Sequence, residues 1–253
     1  MLSSLAIERT LVFDVETTGL FDKSNDITKQ PYITQLSFIV INVFKEHGKV
    51  IRYETEREYN HYIAIPTHVI IPPKVVKLTG ITNEKCIKEG IPIEDALFEF
   101  YQEFVESSCV VSHNIDFDSK MILFEMERNN QKVRDLGCWT PYAIFNSLFN
   151  RIHNIRIYCT MLNGKNITNF VTCSKRISAR SVPNSQASST VTETPPIPPV
   201  DSTQVVRTYK KVPTLLELYT FLYPERPTPV GLHDSMVDTK ICMECYVKMI
   251  SQC

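Results

Sequence analysis

The run Leu11-Val12-Phe13-Asp14-Val15-Glu16 sets the strongest limit on how this chain folds. Its apolar and β-branched residues predict a buried strand over 9–15, and a buried strand leaves little room for charge. Side chains two apart on a strand share a face, so Asp14 and Glu16 project together while Phe13 and Val15 project oppositely. Neighbouring carboxylates repel one another and resist burial, which is costly unless a cation lies between them. Hard oxygen ligands of this kind suit Mg²⁺ or Mn²⁺. On this segment alone the plainer reading stays open: acidic residues at a strand end facing solvent.

The rest of the chain supplies elements for that strand to pack against. Residues 33–44 predict a second long strand, 59–65 a third, with 49–56 in the same hairpin system. Ile93, Ala96, Leu97, Phe100, Tyr101 and Phe104 recur at helical spacing and predict an amphipathic helix over 92–107. Residues 109–112 read as a short buried strand, 116–129 as a helix and 155–161 as a fifth strand. Residues 214–223 and 234–250 read as closing helices. Strands first, then alternating helix and strand, predict an α/β fold around a mixed sheet. At 253 residues the chain can bury a real core without metal or disulfide staples, and it reads as a single domain over 1–253.

One stretch does not fit that domain. Residues 174–207 hold seven serines, four threonines and five prolines in 34 residues, with no glycine or aromatic residue. Such a segment buries too little apolar surface to offset its ordering entropy, and it is expected to be a disordered insertion. Within it, Pro195-Pro196-Ile197-Pro198-Pro199 is a candidate polyproline II ligand for an SH3- or WW-like partner. A stiff solvated loop is the favoured alternative.

Several classes are disfavoured by composition. The eight cysteines lack the dense spacing of a disulfide scaffold. Cys242 and Cys245 form a CxxC without the second pair that a zinc site needs, and they fall late in a helical pattern. They are expected to be free thiols in a reducing compartment. No apolar run reaches membrane-span length and no signal-peptide pattern opens the sequence, so an intracellular protein, in cytoplasm or nucleus and not secreted, is expected. A net charge of −1 argues against a protein that grips long duplex DNA by its phosphates. It does not argue against an enzyme that holds a few nucleotides at one strand end.

Two further segments carry candidate chemistry. In Val110-Val111-Ser112-His113-Asn114-Ile115-Asp116-Phe117-Asp118 a buried run ends in polar residues as a helix begins, and strand ends are where sites gather in α/β sheets. Asp118 would lie in the first helical turn, while Asp116 is expected to cap the helix. In His233-Asp234-Ser235-Met236-Val237-Asp238, His233 and Asp238 would point about 140° apart on a regular helix. They can share a site only if His233 stands on the loop before the helix, with Asp234 as the cap.

In this order, DxETTGL at 14–20, HNxxFD at 113–118 and HxxxxD at 233–238 resemble the DnaQ-like (DEDDh) 3′–5′ exonuclease superfamily, which has an RNase H-like fold. Ile33-Thr34-Gln35-Leu36 resembles the family's second strand, Leu78-Thr79-Gly80-Ile81-Thr82 its GIT turn, and Leu215-Leu216-Glu217-Leu218-Tyr219 the helix before the last motif. The likeness runs from about residue 9 to 250, apart from the insertion. Where many relatives carry Asp-Thr, this chain has Cys159-Thr160, a position outside the metal-binding four.

The resemblance implies a metal-dependent 3′–5′ exonuclease that removes nucleotides from the 3′ end of a single strand, with DNA favoured over RNA. It assigns Asp14, Glu16, Asp118 and Asp238 as ligands to two Mg²⁺ or Mn²⁺ ions. Such ions stabilise the attacking hydroxide and the departing oxygen. His233 is implied as the base toward the attacking water, the role for which imidazole chemistry suits near-neutral pH. Thr17 and Thr18 are implied to meet the terminal nucleotide, and Leu20 to wedge against the last base. Lys120, Arg128, Lys132 and Arg134 are candidates for a basic flank, with a solvated helix face as the alternative. Two other classes remain: a nuclease-like binding module that recruits partners through the Pro-rich loop, and an RNase H-like endonuclease. Biological pathway and oligomeric state stay open.

Overall fold

The computed structural model describes residues 5–24, 26–176 and 205–252. β1 (Leu5–Thr17) pairs antiparallel with β2 (Ile33–Glu46), and β2 pairs antiparallel with β3 (Lys49–Tyr62). β4 (Cys109–Ser112) adds parallel to β1 on its other side, and β5 (Arg156–Cys159) parallel to β4. The sheet order is therefore β3-β2-β1-β4-β5. This is the expected mixed α/β sheet of RNase H-like form.

The third strand differs from the expectation. It is one ladder of fourteen residues, mostly exposed, not two pieces with a break. It is an outer strand rich in alternating-sign charge, so it lacks the period-two apolar pattern that marks a half-buried strand, and charge also protects such an edge from pairing.

Helices cover both faces of the sheet. α1 (Pro73–Thr79) and α2 (Asn83–Glu89) follow β3, and α3 (Ile93–Glu106) precedes β4. α4 (Ile115–Arg128), α5 (Asn130–Asp135) and α6 (Ser147–Ile152) fill the crossover to β5, and α7 (Thr160–Thr168) leaves it. α8 (Leu215–Leu222) and α9 (Ser235–Ser251) come last. Strand alternation sorts the core into two layers. Leu11, Phe13 and Val15 pack with Phe100 and Phe104 of α3 and Met121 of α4. Val12 faces the other way, onto Cys242, Met243 and Tyr246 of α9. Asp14 and Glu16 share the parity of Val12, so the strand period aims them at the layer that α9 occupies.

The cysteine reading holds: Cys242 and Cys245 are buried free thiols on α9. Among the described residues no helix is long and apolar enough to cross a membrane.

The ends of the expected insertion need a correction. β6 (Val171–Arg176) and β7 (Val205–Lys210) form an antiparallel ladder in which Arg176 sits opposite Val205. Residues 174–176 and 205–207 thus belong to strands, because Val171, Thr172, Val205 and Val206 supply β-branched residues on both sides of the Ser/Thr/Pro tract. The remainder of that tract, Pro195–Pro199 included, lies outside the described residues.

Candidate active site

Four carboxylates from three elements meet where β1 ends. Asp14 and Glu16 come from β1, Asp118 from the first turn of α4 and Asp238 from the first turn of α9. Each is destabilised as an anion by burial first, then by its acidic neighbours. Burial raises the Asp14 carboxyl well above its ordinary range, and the charges of Asp118, Asp238, Glu16 and Asp234 add to this. Glu16 is pushed up to about 8 by burial and then by Asp238, Asp118 and Asp234. Asp118, only 3% exposed, is raised to about 7 by burial, against bonds from the Ser112 hydroxyl and the Val15 main chain that favour its ionised form. Asp238 is raised as well, burial again leading.

The head of α9 is built as the sequence requires. Asp234 accepts from the amides of Met236 at 3.0 Å and Val237 at 3.2 Å, as the expected cap. His233 therefore stands before the helix, in a left-handed conformation at φ 67°. Its main-chain N–H donates to Asp238 Oδ2 at 3.1 Å. Ligand atoms of Glu16, His233 and Asp238 all lie within 4.8 Å of one another. Asp14 and Asp118 complete no second trio of that tightness among the described residues.

These groups fit a divalent cation. Asp238 Oδ1 is buried and has no hydrogen-bond partner, and an orphaned buried carboxylate oxygen among other carboxylates calls for positive charge. The four carboxylates form a hard-oxygen donor set, which suits small divalent ions.

The substrate residues behave differently from one another. Leu20 is 84% exposed on the turn after β1, free to touch a ligand. The Thr17 hydroxyl instead donates to the Gly19 carbonyl at 2.7 Å. The Thr18 hydroxyl accepts from the Tyr32 amide at 3.0 Å, and the Thr18 amide donates back to the Tyr32 carbonyl at 2.9 Å. Both threonine side chains fix the turn. Asp116 is not the cap of α4: Asn114 takes that position at φ 74°, and Asp116 binds Lys120 at 2.7 Å from inside the first turn. An N-cap must be non-helical, and Ile115 already begins the helix.

Several supporting contacts had no signal in the sequence, although Gln35, Ser235 and His113 themselves lie in segments that carry the resemblance. Gln35 Oε1 accepts from the Ser235 amide at 3.2 Å, and its Nε2 donates to Asp234 at 3.3 Å. Ser37 and Ser235 join hydroxyl to hydroxyl at 2.5 Å. These bonds dock the head of α9 on β2 and so set where Asp238 stands. His113, the histidine of the second motif, is half-buried behind the site. Its Nε2 lies 3.2 Å from the Pro213 carbonyl and its Nδ1 2.9 Å from the Thr160 hydroxyl. Burial lowers its pKa to about 4, so it is a neutral tie, donating to Pro213 and accepting from Thr160.

Comparison with known proteins matches residues 11–169 to the model of the exonuclease family RNase_T. The chain is 32% identical over 128 residues to the 3′-5′ exonuclease DinG of Bacillus subtilis, covering 51% of this chain and 12% of that protein. It is 35% identical over 120 residues to the PolC-type DNA polymerase III of Streptococcus sanguinis, covering 47% of this chain and 7% of that protein. It thus spans a small part of either relative. Among solved structures, a zinc-bound complex of E. coli exonuclease I with single-stranded DNA matches with TM-score 0.57 at 14% identity. That match covers 97% of this chain and 40% of the other, a likeness of fold.

Proposed function

Because this chain belongs to the RNase_T exonuclease family, we propose that it is a 3′–5′ exonuclease that hydrolyses a single strand from its 3′ end. We take 1–253 as one domain, with the Ser/Thr/Pro tract inserted before the last two helices. The observation that carries the reading is the convergence of Asp14, Glu16, Asp118 and Asp238 with the backbone-tied His233 at one strand end. Such a cluster is costly in a chain that does no metal chemistry.

Asp14, Glu16, Asp118 and Asp238 would hold two Mg²⁺ or Mn²⁺ ions, which when bound supply charge stabilisation to the attacking and departing oxygens. His233 takes the proton from the attacking water, a task that needs its ring within hydrogen-bond reach of that water. Asp238 orients that loop through the His233 amide. Leu20 meets the terminal base, and the turn held by Thr17 and Thr18 presents main chain to the terminal nucleotide. DNA is the preferred strand: the solved complex of E. coli exonuclease I, whose fold this chain shares, holds single-stranded DNA.

The experiment is a parallel digestion of end-labelled single- and double-stranded DNA and RNA with Mg²⁺ and with Mn²⁺. Shortening of single-stranded DNA from the 3′ end, lost with EDTA, is expected. Absence of metal-dependent cleavage on every strand would leave the binding-module reading instead.

A further inference from the structure

Lys74 and Lys77 on α1, and Lys85 and Lys88 on α2, have no carboxylate partner among the described residues. The basic residues near α4 are committed elsewhere: Lys120 to Asp116, Arg128 to Glu125, Lys132 to Glu94 and Arg134 to Asn130. Three of these four charges are met by carboxylates, and Arg134, bonded to the neutral Asn130, keeps its charge. On α1 and α2 the four lysines outnumber Glu84 and Glu89, in a chain whose net charge is −1. Lys74, Lys77 and Lys88 are exposed and Lys85 is half-buried, and ammonium groups without a carboxylate partner are what a mobile polyanion binds.

The fold places this surface next to the carboxylates. Glu16 lies opposite Gln35 on β2, and Gln35 opposite Tyr62 on β3. Cross-strand partners share a face, so the three form one row across the strand ends. The Lys85 ammonium stands 3.8 Å from the centre of the Tyr62 ring. At about 5 Å per strand, Lys85 is roughly 10–15 Å from Glu16, within reach of a few nucleotides of extended strand.

The two helices are held firmly on the sheet: Ile65, Ile71, Ile81 and Cys86 are buried together against Tyr32 and Tyr62. Gly80 at φ 72° ends α1 and turns the chain into α2, a conformation that few other residues adopt cheaply. Lys74 with Lys77, and Lys85 with Lys88, each lie one turn apart on a shared face. Leu78 and Ile87 stand beside them, 53% and 70% exposed, and offer apolar surface to base faces.

We propose that α1 and α2 form the phosphate-binding track for the strand upstream of its 3′ end, guiding it toward Glu16 and Asp14. This rests on the reading of the carboxylate site as an exonuclease site for a single strand.

The test is binding of a fluorescein-labelled oligothymidylate of about a dozen nucleotides in Ca²⁺, followed by anisotropy from about 50 to about 200 mM salt. Wild type is compared with a variant carrying Lys74→Gln, Lys77→Gln, Lys85→Gln and Lys88→Gln. Affinity should fall about tenfold or more at low salt, and the slope of log affinity against log salt should shrink by about 0.7 for each lost contact. A second variant that keeps Lys85, whose ammonium packs on Tyr62, guards against loss of fold and should show a smaller change in the same direction.

Hydrolysis of the p-nitrophenyl ester of thymidine 5′-phosphate with Mn²⁺, which needs only the metal site, should be unchanged in both variants. Equal affinity and equal salt slope in variant and wild type would overturn the track, as would a wild type that does not bind the oligonucleotide. Wild type that binds in a lysine-dependent manner yet cleaves neither ester nor strand would support the track and sink the exonuclease reading.

Discussion

The main-chain amide of His233 donates to Oδ2 of Asp238 at 3.1 Å, across the cap that Asp234 makes between them. The bond resolves the geometric conflict between two motif residues that a regular helix would splay apart. It also leaves Asp238 Oδ1 buried and unpartnered beside Glu16 and the His233 ring. One carboxylate thus orients the base through its backbone and keeps an oxygen available to a cation.

His233 should be removable without loss of metal. Its φ of 67° strains an alanine, whereas asparagine tolerates the left-handed region, so His233→Asn is the cleaner variant. Turnover should fall by about 10² to 10⁴-fold, the usual range for losing general-base help, with Mn²⁺ affinity within a few-fold of wild type by calorimetry. Loss of Mn²⁺ binding in a folded variant would make His233 a ligand instead of a base.

Stability without metal should depend on pH through Glu16. Its carboxyl titrates at about 8 in the fold against an ordinary 4.5, so between those values the folded chain holds a proton that the unfolded chain has lost. Stability from this group is full below about 4.5 and drains away as pH rises toward 8. In EDTA, the thermal stability of Glu16→Gln relative to wild type should therefore climb across that window, and Mg²⁺ should narrow the gap. A pH-independent difference would contradict the repulsive site.

The parts of the site that the sequence displays are those governed by local periodicity. Asp14 and Glu16 follow from strand alternation, and Asp234 and His233 from the start of a helix. The contacts that fix the site in space were invisible because the partners are remote: Gln35 meets Ser235 and Asp234 some 200 positions away. The same holds for His113, whose partners Thr160 and Pro213 lie on segments that only the fold brings together. β3 was read in two pieces because its exposed face carries charge where a half-buried strand carries alternation. The ladder of β6 and β7 was hidden by the composition of the tract between them.

The two motif histidines should separate experimentally. His113→Gln breaks a half-buried two-bond tie and should cost about 1–3 kcal/mol of stability, with a smaller effect on turnover than His233→Asn. With a folded-state pKa of about 4, neutral His113 contributes stability above about 6.5 that is lost as pH falls toward 4. Chemical denaturation at several pH values should show wild type losing stability over that range more steeply than His113→Gln. Equal acid sensitivity would remove the assigned tie.

The inserted tract should be dispensable for folding. Arg176 and Val205 are direct partners in an antiparallel ladder, so an Asn-Gly turn, whose backbone suits a two-residue hairpin, can replace residues 177–204. The shortened chain should keep its melting temperature within a few degrees and its rate on a short oligonucleotide within about twofold, since a change in loop length alters closure entropy only slowly. A folded but inactive product would place the tract in the active site.

The most direct measurement follows a 5′-labelled linear single strand with Mg²⁺ on a sequencing gel, with a circular strand of the same sequence in parallel. Wild type should shorten the linear strand stepwise from its 3′ end and leave the circle intact, while Asp14→Ala and Asp238→Ala, both folded, should cleave neither. Internal cuts in the circle, or full activity in either aspartate variant, would contradict the account.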